Sequence, residues 1–391
     1  MTVTAAAGFV AAGVHCGIKA TGAPDLALIA TDDGVPVTAA AVFTQNKATA
    51  APVQVSRAHL GATNGRASAV VLNSGNANAA TGAAGRAAAE RACAAVAAQL
   101  GCQPDEVLVC STGLIGIPLD IDAVEAGVTP LVAALASGDD AGAAAAAAIM
   151  TTDTYAKQTL VEGDGFVVGG MAKGAAMLAP NMATMLAVLT TDAPAEPDAL
   201  QRALKRAVDA SFNALSVDGC TSTNDTVIVL ASGQAAAGHV PEADLADALK
   251  YACIGLAEQM AGDAEGATKV VRIRVVAAED DEEAATAARK VAESQLVKCS
   301  LYGQDPYWGR IVSELGSAGV AFDPDTVTIS YGGIVVCRDG VAAEHDASML
   351  KDAMAGRTIE IVCDLGIGRG EGMILTNDLS HAYIAENMGT S

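Results

Sequence analysis

The chain contains 391 residues, of which 51% are hydrophobic and 17% are charged, and its formal net charge is −22. This length allows one large domain or two of ordinary size, and the hydrophobic content argues against an intrinsically disordered chain. The negative charge disfavours binding to nucleic acids and to anionic membranes, because both partners are polyanions. The composition is typical of a globular enzyme that handles small molecules.

The amino-terminal stretch Met1–Gly13 is apolar but lacks the basic leader and cleavage site of a signal peptide. Apolar runs are interrupted by glycine, proline or charge before they reach about twenty residues, so no membrane span is expected. The nine cysteines include no Cys-x-x-Cys pair, which disfavours a zinc site. We expect a cytoplasmic protein with reduced thiols and no bound metal.

The first half of the chain predicts strands and helices that are joined by glycine and asparagine turns. The predicted strands are Asp25–Asp32, Pro36–Phe43, Ala51–Ser56, Ser68–Leu72, Glu106–Cys110 and Val161–Val168. The predicted helices are Gly85–Leu100, Asp122–Leu135 and Ala141–Ile149.

In this half of the chain, two polar stretches directly follow predicted elements. Ser111–Gly116 follows a strand and combines hydroxyl residues with glycine. Such a turn exposes backbone N–H groups and suits either an oxyanion hole or the N-cap of the next segment. Met150–Thr154 places three threonines around an aspartate after a helix. It is compatible with a helix exit or with a substrate contact.

The segment Lys173–Ala193 organises the rest of the chain. It begins with a basic residue on a glycine turn, passes through Pro180-Asn181, and places Thr184 before the apolar run Met185–Leu189. This run predicts a buried strand. A threonine at the mouth of a buried strand is held in place and partly desolvated, which suits a self-cleaving nucleophile. The alternative is an ordinary threonine that begins a strand.

The second half again alternates strands and helices, so the fold class is mixed α/β. The predicted helices are Asp198–Ala210, Ala243–Met260 and Asp280–Leu296. The predicted strands are Val227–Ala231, Lys269–Ala278, Val327–Ser330, Ile334–Cys337 and Ile359–Cys363. Arg272 and Arg274 fall on one face of their strand, and Trp308 is interpreted as a packing anchor in a turn.

Several motifs resemble one family. Lys173-Gly174, Pro180–Leu186 and Thr191–Ala193 are similar to the autoprocessing site of the ornithine acetyltransferases, also called glutamate N-acetyltransferases, of arginine biosynthesis. Four further stretches match the same family: residues 111–116, 151–154, 218–226 and 264–269. The resemblance implies layered mixed sheets and helices, and self-cleavage between Ala183 and Thr184. The products would be an alpha chain, residues 1–183, and a beta chain, residues 184–391, assembled as a heterotetramer of two alpha and two beta chains.

The resemblance also implies roles for single residues. Thr184 would be the nucleophile, and Thr112 and Gly113 would form the oxyanion hole. Substrate would contact further positions, with the choice between neighbours left open in two places. These positions are Thr151 or Thr152, Lys173, Thr184 itself, Glu265, Asn387, and Thr390 or Ser391.

The implied reaction moves an acetyl group from N-acetylornithine to glutamate through an acetyl ester on Thr184. No cofactor is implied, and whether acetyl-CoA is a second acetyl donor stays open. Two other hypotheses remain at this point. One is an aminopeptidase or amidase with the same type of N-terminal nucleophile, and the other is a binding protein that keeps the fold but does not process itself.

Overall fold

The computed structural model describes residues 2–178, 185–236 and 238–388. Its strands and helices form a mixed α/β fold with several mixed sheets, which confirms the predicted fold class. Among the described residues, no helix has both the length and the hydrophobicity that crossing a membrane requires.

The strands in chain order are β1 (Phe9–Val14), β2 (Leu26–Thr31), β3 (Val37–Phe43), β4 (Arg66–Ala67), β5 (Ala69–Asn76), β6 (Val107–Leu114), β7 (Lys157–Glu162), β8 (Val167–Lys173), β9 (Leu186–Thr191), β10 (Leu215–Ser216), β11 (Thr226–Ala231), β12 (Val270–Ala278), β13 (Thr328–Tyr331), β14 (Ile334–Arg338), β15 (Val341–Ala342), β16 (Thr358–Asp364) and β17 (Gly370–Asn377).

The α-helices in chain order are α1 (Ala51–Ala62), α2 (Gly82–Leu100), α3 (Ile121–Ala133), α4 (Asp139–Ala148), α5 (Pro197–Asp209), α6 (Glu242–Gly262), α7 (Asp281–Ala292), α8 (Gln295–Tyr302), α9 (Trp308–Gly316), α10 (Ala347–Ala355) and α11 (His381–Glu386).

The chain divides into two compact units. The first comprises Met1–Asn213 and Thr221–Met260, and the second comprises Ala214–Cys220 and Ala261–Ser391. The predicted junction between Ala183 and Thr184 falls in the sequence of the first unit. Both residues lie outside the described part of the chain, so the division into two processed chains stays a prediction.

The first unit contains two sheets, with the orders β1-β2-β5-β6 and β4-β3-β11-β9-β8-β7. One apolar cluster includes buried residues of both sheets, such as Ile29 and Leu72 in the first and Val188 and Ile228 in the second. A second cluster joins the other face of the four-stranded sheet to α2 and α3. The strand β2 is buried along its whole length, because both of its faces contact apolar neighbours.

The alanine-rich helix α4 packs closely on β1. A Cβ atom at Gly13 would lie 2.1 Å from the carbonyl oxygen of Ala144, so the strand needs glycine at this point. Ala145 and Ala146 are buried in the cluster that both sheets share. Small side chains on both elements therefore allow the helix backbone to approach the sheet.

The second unit contains a seven-stranded sheet with the order β10-β17-β12-β16-β13-β14-β15. Its core consists of alternate residues of the strands together with apolar residues of α7, α8, α9 and α10. Along β12, Val271, Ile273 and Val275 are buried, whereas Arg272 and Arg274 are only half-buried. The predicted placement of the two arginines on one face is confirmed.

One predicted strand is wrong. Ala51–Ser56 is the first half of helix α1, with Pro52 in its first turn. The alternation of valines suggested a strand, but proline fixes the backbone angle that the start of a helix needs. The helix is also held in place by Ser56, whose Oγ bonds to both the N–H and the C=O of Val109.

Two other predictions have the wrong boundaries. Val161–Val168 is not one strand, because β7 and β8 form a hairpin in which Gly163 N–H donates to Phe166 O at 2.9 Å. Asp280–Leu296 is not one helix, because Ser294 caps the start of α8 by accepting a hydrogen bond from Val297 N. Glycine turns and hydroxyl caps at these positions interrupt patterns that looked continuous.

Several elements have no counterpart among the predictions, including β1, α10 and β17. Trp308 does not lie in a turn but is the first residue of α9, where it packs against the core of the second unit. Thr112 and Gly113 do not follow the strand at Cys110, as expected, but belong to β6 itself.

Candidate active site

The carboxyl ends of the parallel strands β5 and β6 bring Thr112 and Gly113 beside Ser74 and Gly75. Gly113 has φ +134°, and a Cβ atom there would lie 2.3 Å from the carbonyl carbon of Gly75. Only glycine fits such a contact without moving the backbone. The two residues expected to form an oxyanion hole therefore lie at a fixed and tightly packed strand end.

Lys173, the last residue of β8, points at Thr112. Its Nζ donates a hydrogen bond to Thr112 Oγ1 at 3.3 Å, and both residues are buried. Within the described residues, no group accepts the hydroxyl proton of Thr112. A hydroxyl that accepts from a cation and keeps its own proton free is suited to donate to a negative oxygen.

Asp153 is the anionic centre of the same region. Its Oδ1 lies 2.6 Å from Lys157 Nζ and accepts a hydrogen bond from Gly174 N at 2.7 Å. Burial alone would raise the pKa of Asp153, but the charges of Lys173 and Lys157 and these hydrogen bonds lower it to about 2. The carboxylate is therefore ionised at neutral pH.

The two threonines before Asp153 differ in their contacts. Thr151 donates its N–H to Asp153 Oδ2 at 3.0 Å, which fixes the loop against the buried carboxylate. Both Thr151 and Thr152 are exposed, so both hydroxyls are accessible to a small molecule. The choice between them stays a prediction.

Sequence reasoning missed Lys19, which lies in this region. Its Nζ donates to the backbone carbonyl oxygens of Pro24 and Met150 at 2.8 and 2.7 Å. Burial lowers the pKa of Lys19, whereas the charges of Asp25 and Asp153 act in the opposite direction. Lys19 stands in a stretch without any motif, so nothing in the sequence indicated it. With Lys157 and Lys173, it makes the surroundings of Asp153 net positive, which favours an anionic ligand.

The start of β9 lies beside Lys173, at the end of β8. Leu186 pairs with Lys173 in the antiparallel ladder of β8 and β9. Met185 N donates to Asp225 Oδ1 at 3.0 Å, and Asp225 is fully buried. Sequence reasoning matched the polar loop of residues 218–226, which contains Asp225, to the family but gave Asp225 no role. Thr184 and Ala183 themselves are outside the described residues.

The second unit brings two other predicted positions together. Asn387 Nδ2 donates to Glu265 Oε2 at 2.8 Å, although 122 positions separate them. Glu265 is buried and Asn387 is exposed at the end of α11. Gly266, with φ +62°, lets the next backbone approach, since a Cβ atom there would lie 2.3 Å from Tyr383 N. Thr390 and Ser391 are outside the described residues.

No metal centre is evident in the part of the chain that the structure describes, since no group of three or more His, Cys, Asp or Glu side chains is arranged to hold an ion. The site of the first unit instead offers a polarised hydroxyl, a glycine at a strand end and several lysines. Such an arrangement can bind a carboxylate and stabilise a developing oxyanion.

Comparison with known proteins gives the family. A model described as the ArgJ family matches residues 10–389. The arginine biosynthesis bifunctional protein ArgJ of Mycobacterium tuberculosis (strain ATCC 25618 / H37Rv) is 50% identical over 398 residues, which cover 100% of this chain and 96% of the relative. The protein of the same name from Mycobacterium leprae (strain TN) is 49% identical over 395 residues, which cover 100% and 95%. The chain belongs to the ArgJ family.

Solved structures match over a smaller part of the chain. A crystal structure of ornithine acetyltransferase complexed with ornithine, from Mycobacterium tuberculosis, is 47% identical with a TM-score of 0.42, and covers 46% of this chain and 94% of that chain. Full-length ArgJ relatives near 50% identity show that this member of the ArgJ family is an acyltransferase of arginine biosynthesis. The resemblance stated from the sequence is thereby confirmed.

Proposed function

We propose that this ArgJ-family chain cleaves itself between Ala183 and Thr184, and then transfers the acetyl group of N-acetylornithine to glutamate through an acetyl ester on Thr184. The relatives at about half identity carry a name that assigns them to arginine biosynthesis. The sequence before and after Thr184 matches the autoprocessing motif of ornithine acetyltransferases residue by residue.

One observation carries the proposal. Lys173 contacts Thr112 at the end of β6 and pairs with Leu186 at the start of β9. The strand that follows the threonine and the strand that bears the oxyanion candidates are thus joined by one buried lysine. A nucleophile and an oxyanion hole must lie within a few ångströms of one reacting carbonyl group.

The chemistry uses the threonine twice. In the first step its hydroxyl attacks the carbonyl carbon of Ala183, and water hydrolyses the ester that results. This frees an α-amine, whose pKa of about 8 in the absence of perturbation leaves part of it neutral near pH 7. The neutral amine then accepts the hydroxyl proton as Thr184 attacks the acetyl group.

Thr112 and Gly113 support both attacks. The Thr112 hydroxyl and the Gly113 N–H would donate to the oxygen that becomes negative, and each such donor lowers the barrier by about 3 kcal/mol. As the tetrahedral intermediate collapses, the bond to the ornithine nitrogen breaks and this nitrogen takes the proton from the α-ammonium. Glutamate then attacks the acetyl ester, so the kinetics are ping-pong.

The substrates carry charges that the remaining candidates complement. We propose that Lys173 binds a substrate carboxylate, with the hydroxyl of Thr151 or Thr152 beside it. Glu265 would bind the cationic amine of the ornithine moiety, and Asn387 orients the Glu265 carboxylate. We assign a further substrate contact to Thr390 or Ser391. No cofactor takes part in these steps.

We further propose a cytoplasmic heterotetramer of two chains of residues 1–183 and two of residues 184–391. Native mass spectrometry of the purified protein tests this assembly. A mass equal to two alpha and two beta chains is expected, and a single alpha–beta pair would contradict it.

The first experiment is the intact mass of denatured protein, measured for the parent and for Thr184→Ala. We expect two fragments from the parent, residues 1–183 and 184–391, and one full-length chain from the variant. Ser317→Ala, at an exposed position directly after α9, serves as a control for a hydroxyl residue elsewhere, and it is expected to be cleaved. A folded parent that remains intact would overturn the proposal and favour the non-processing binding protein.

The second experiment follows acetyl transfer. Parent enzyme incubated with N-acetylornithine alone should gain about 42 Da on the beta chain, and glutamate should remove this mass as N-acetylglutamate. Acetyl-CoA is offered as the donor in a parallel reaction, to determine whether the enzyme uses it. Release of free acetate that does not depend on glutamate, or turnover of peptide amides, would favour the amidase hypothesis.

A further inference from the structure

Asp225 is a buried carboxyl group to which the steps above give no role. It directly precedes β11, and its side chain has no solvent exposure. Oδ1 accepts the hydrogen bond from Met185 N, but Oδ2 has no hydrogen-bond partner in the part of the chain that the structure describes. Buried polar atoms without partners are rare in folded proteins, so this oxygen calls for a physical cause.

The surroundings of Asp225 favour a neutral carboxyl group in the uncleaved chain. Burial raises its pKa well above the usual range, although the Met185 N–H, the polar groups of Ser222 and the charge of Lys173 act in the opposite direction. A new cation close to Oδ2 would favour the ionised form and would satisfy the free oxygen at the same time.

Covalent geometry brings such a cation close. The nitrogen of Met185 is three bonds from the α-nitrogen of residue 184, and two atoms so connected lie roughly 3 Å apart. Asp225 Oδ1 is 3.0 Å from the nitrogen of Met185. The carboxyl group is therefore anchored within one residue of the amine that cleavage before Thr184 would release.

The residue before Asp225, Asn224, binds the strand that carries the oxyanion candidates. Asn224 Nδ2 donates to Ala77 O at 2.6 Å and to Ser111 O at 2.9 Å, and Ser111 precedes Thr112 in β6. Two adjacent side chains thus bind the strand of the oxyanion candidates and the strand that follows the threonine. This segment sets the relative position of the two strands.

On the basis of the proposed function, we propose that Asp225 is a positioning residue for the acetyl transfer. Its Oδ2 accepts a hydrogen bond from the freed α-amine of Thr184 and so directs the lone pair of the amine toward the threonine hydroxyl. When the amine takes the hydroxyl proton, the carboxylate stabilises the ammonium group. The proton then passes to the leaving ornithine nitrogen, and Asp225 exchanges no atom with the substrate.

The test compares the parent with Asp225→Asn and with Asp280→Asn. Asparagine keeps the size of aspartate and the acceptor for Met185 N–H, but it places an NH₂ donor where Oδ2 was. Asp280 is a matched control at the start of α7, where its Oδ1 accepts from Glu283 N at 2.9 Å. Cleavage is checked by intact mass, and kcat and KM for N-acetylornithine are measured from pH 6 to pH 10.

We expect Asp225→Asn to lower kcat about 100-fold, with KM changed by less than about threefold. The acid limb of the profile of kcat/KM against pH should move down by about one unit, because a carboxylate raises the pKa of a nearby amine. Lys173, the cation that acts on Asp225, is retained in every variant. Asp280→Asn should match the parent in both respects.

Two results would overturn the role of Asp225. One is an Asp225→Asn enzyme with the kinetics of the parent. The other is a lower kcat with an unchanged acid limb of the kcat/KM profile, which would show that Asp225 acts only through packing. If Asp225→Asn fails to fold or to cleave, the pKa of the α-amine is measured in the parent by NMR after ¹⁵N-threonine labelling. A value above about 8 supports the pairing, and a value at or below 8 contradicts it. An uncleaved parent would instead refute the proposed function, and this is seen before any variant is compared.

Discussion

The Nζ atom of Lys173 donates a hydrogen bond to Oγ1 of Thr112 over 3.3 Å, and both residues are buried. In a medium of low dielectric constant, a hydrogen bond from a cation polarises the hydroxyl that accepts it. The hydroxyl then becomes a better donor to a negative oxygen. One lysine would thus link the two roles proposed above: recognition of a substrate carboxylate by Lys173 and stabilisation of an oxyanion by Thr112.

Replacement of Lys173 by methionine tests this link. The variant keeps the length of the side chain but removes its charge and its hydrogen bond, which contributes about 1.5–3 kcal/mol when one partner is charged. We expect kcat/KM for N-acetylornithine to fall about 10- to 100-fold in steady-state assays of cleaved protein. Lys250→Met, at an exposed position of α6, should keep parental activity. Parental activity of Lys173→Met would contradict both roles.

Gly113→Ala should disturb the oxyanion candidates through two effects: the backbone strain of a positive φ and a steric clash with β5. The new Cβ atom would lie 2.3 Å from Gly75 C and 2.5 Å from Asn76 N, so β5 and β6 must move apart. Loss of one oxyanion donor lowers kcat by about 100-fold or more. We expect a drop of this size in kcat, together with a lower midpoint of urea unfolding.

The matched control for Gly113 is Gly101→Ala. Gly101 also has a positive φ, +75°, but its Cβ atom would meet no atom within 4 Å. The Gly101→Ala variant should lose about 1–2 kcal/mol of stability from backbone strain and should keep the parental kcat. Equal kinetic effects of the two substitutions would show that the contact with Gly75 does not matter.

Asp153→Asn should destabilise the protein in a manner that depends on pH. The pKa of Asp153 is lowered to about 2 in the folded chain, so its carboxylate stabilises the fold above its unfolded pKa near 4. This contribution, about 2–3 kcal/mol, is lost as the pH falls through the folded pKa. The difference in unfolding free energy between parent and variant should be largest at pH 7 and should shrink between about pH 5 and pH 2.

Two further variants define the origin of this effect. Asp209→Asn removes an exposed carboxylate that pairs with Lys205, and its difference from the parent should stay near zero at every pH. Asp153→Asn combined with Lys157→Met should recover part of the lost stability, because the single change leaves a buried lysine without its carboxylate. A difference that is constant with pH would rule out the ion pair as the cause.

The sequence predicted the strands that border the site better than it predicted how they meet. β9 was found because a short apolar run after a Pro-Asn turn is typical of a buried strand, and Lys173 was found on its glycine turn. The hydrogen bonds of Asp225 to Met185 and of Asn224 to Ser111 connect residues that are 40 and 113 positions apart. Local sequence patterns do not show which distant residues form hydrogen bonds with each other. The polar loop of residues 218–226 could therefore be recognised from the sequence, but the role of its side chains could not.

The errors have similar physical causes. The valines of Ala51–Ser56 alternate as in a strand, but the contact of Ser56 with Val109 and the proline in the first turn favour a helix. Lys19 lies in an unremarkable loop and reaches the site only through the fold. The pairing of Glu265 with Asn387 was likewise not predicted, although each residue was named from the family motif.

Glu265→Gln tests recognition of the substrate amine in the second unit. Glutamine keeps an oxygen that can accept from Asn387 Nδ2, now 2.8 Å from Glu265 Oε2, but it removes the negative charge. We expect KM for N-acetylornithine to rise about tenfold, because a hydrogen bond from its cationic amine to a carboxylate is stronger than one to a neutral amide by about 1.4 kcal/mol. KM for glutamate should change by less than about twofold. Glu386→Gln, at an exposed position of α11, is the matched control and should leave both values unchanged. A Glu265→Gln enzyme with both KM values at parental level would remove Glu265 from amine recognition.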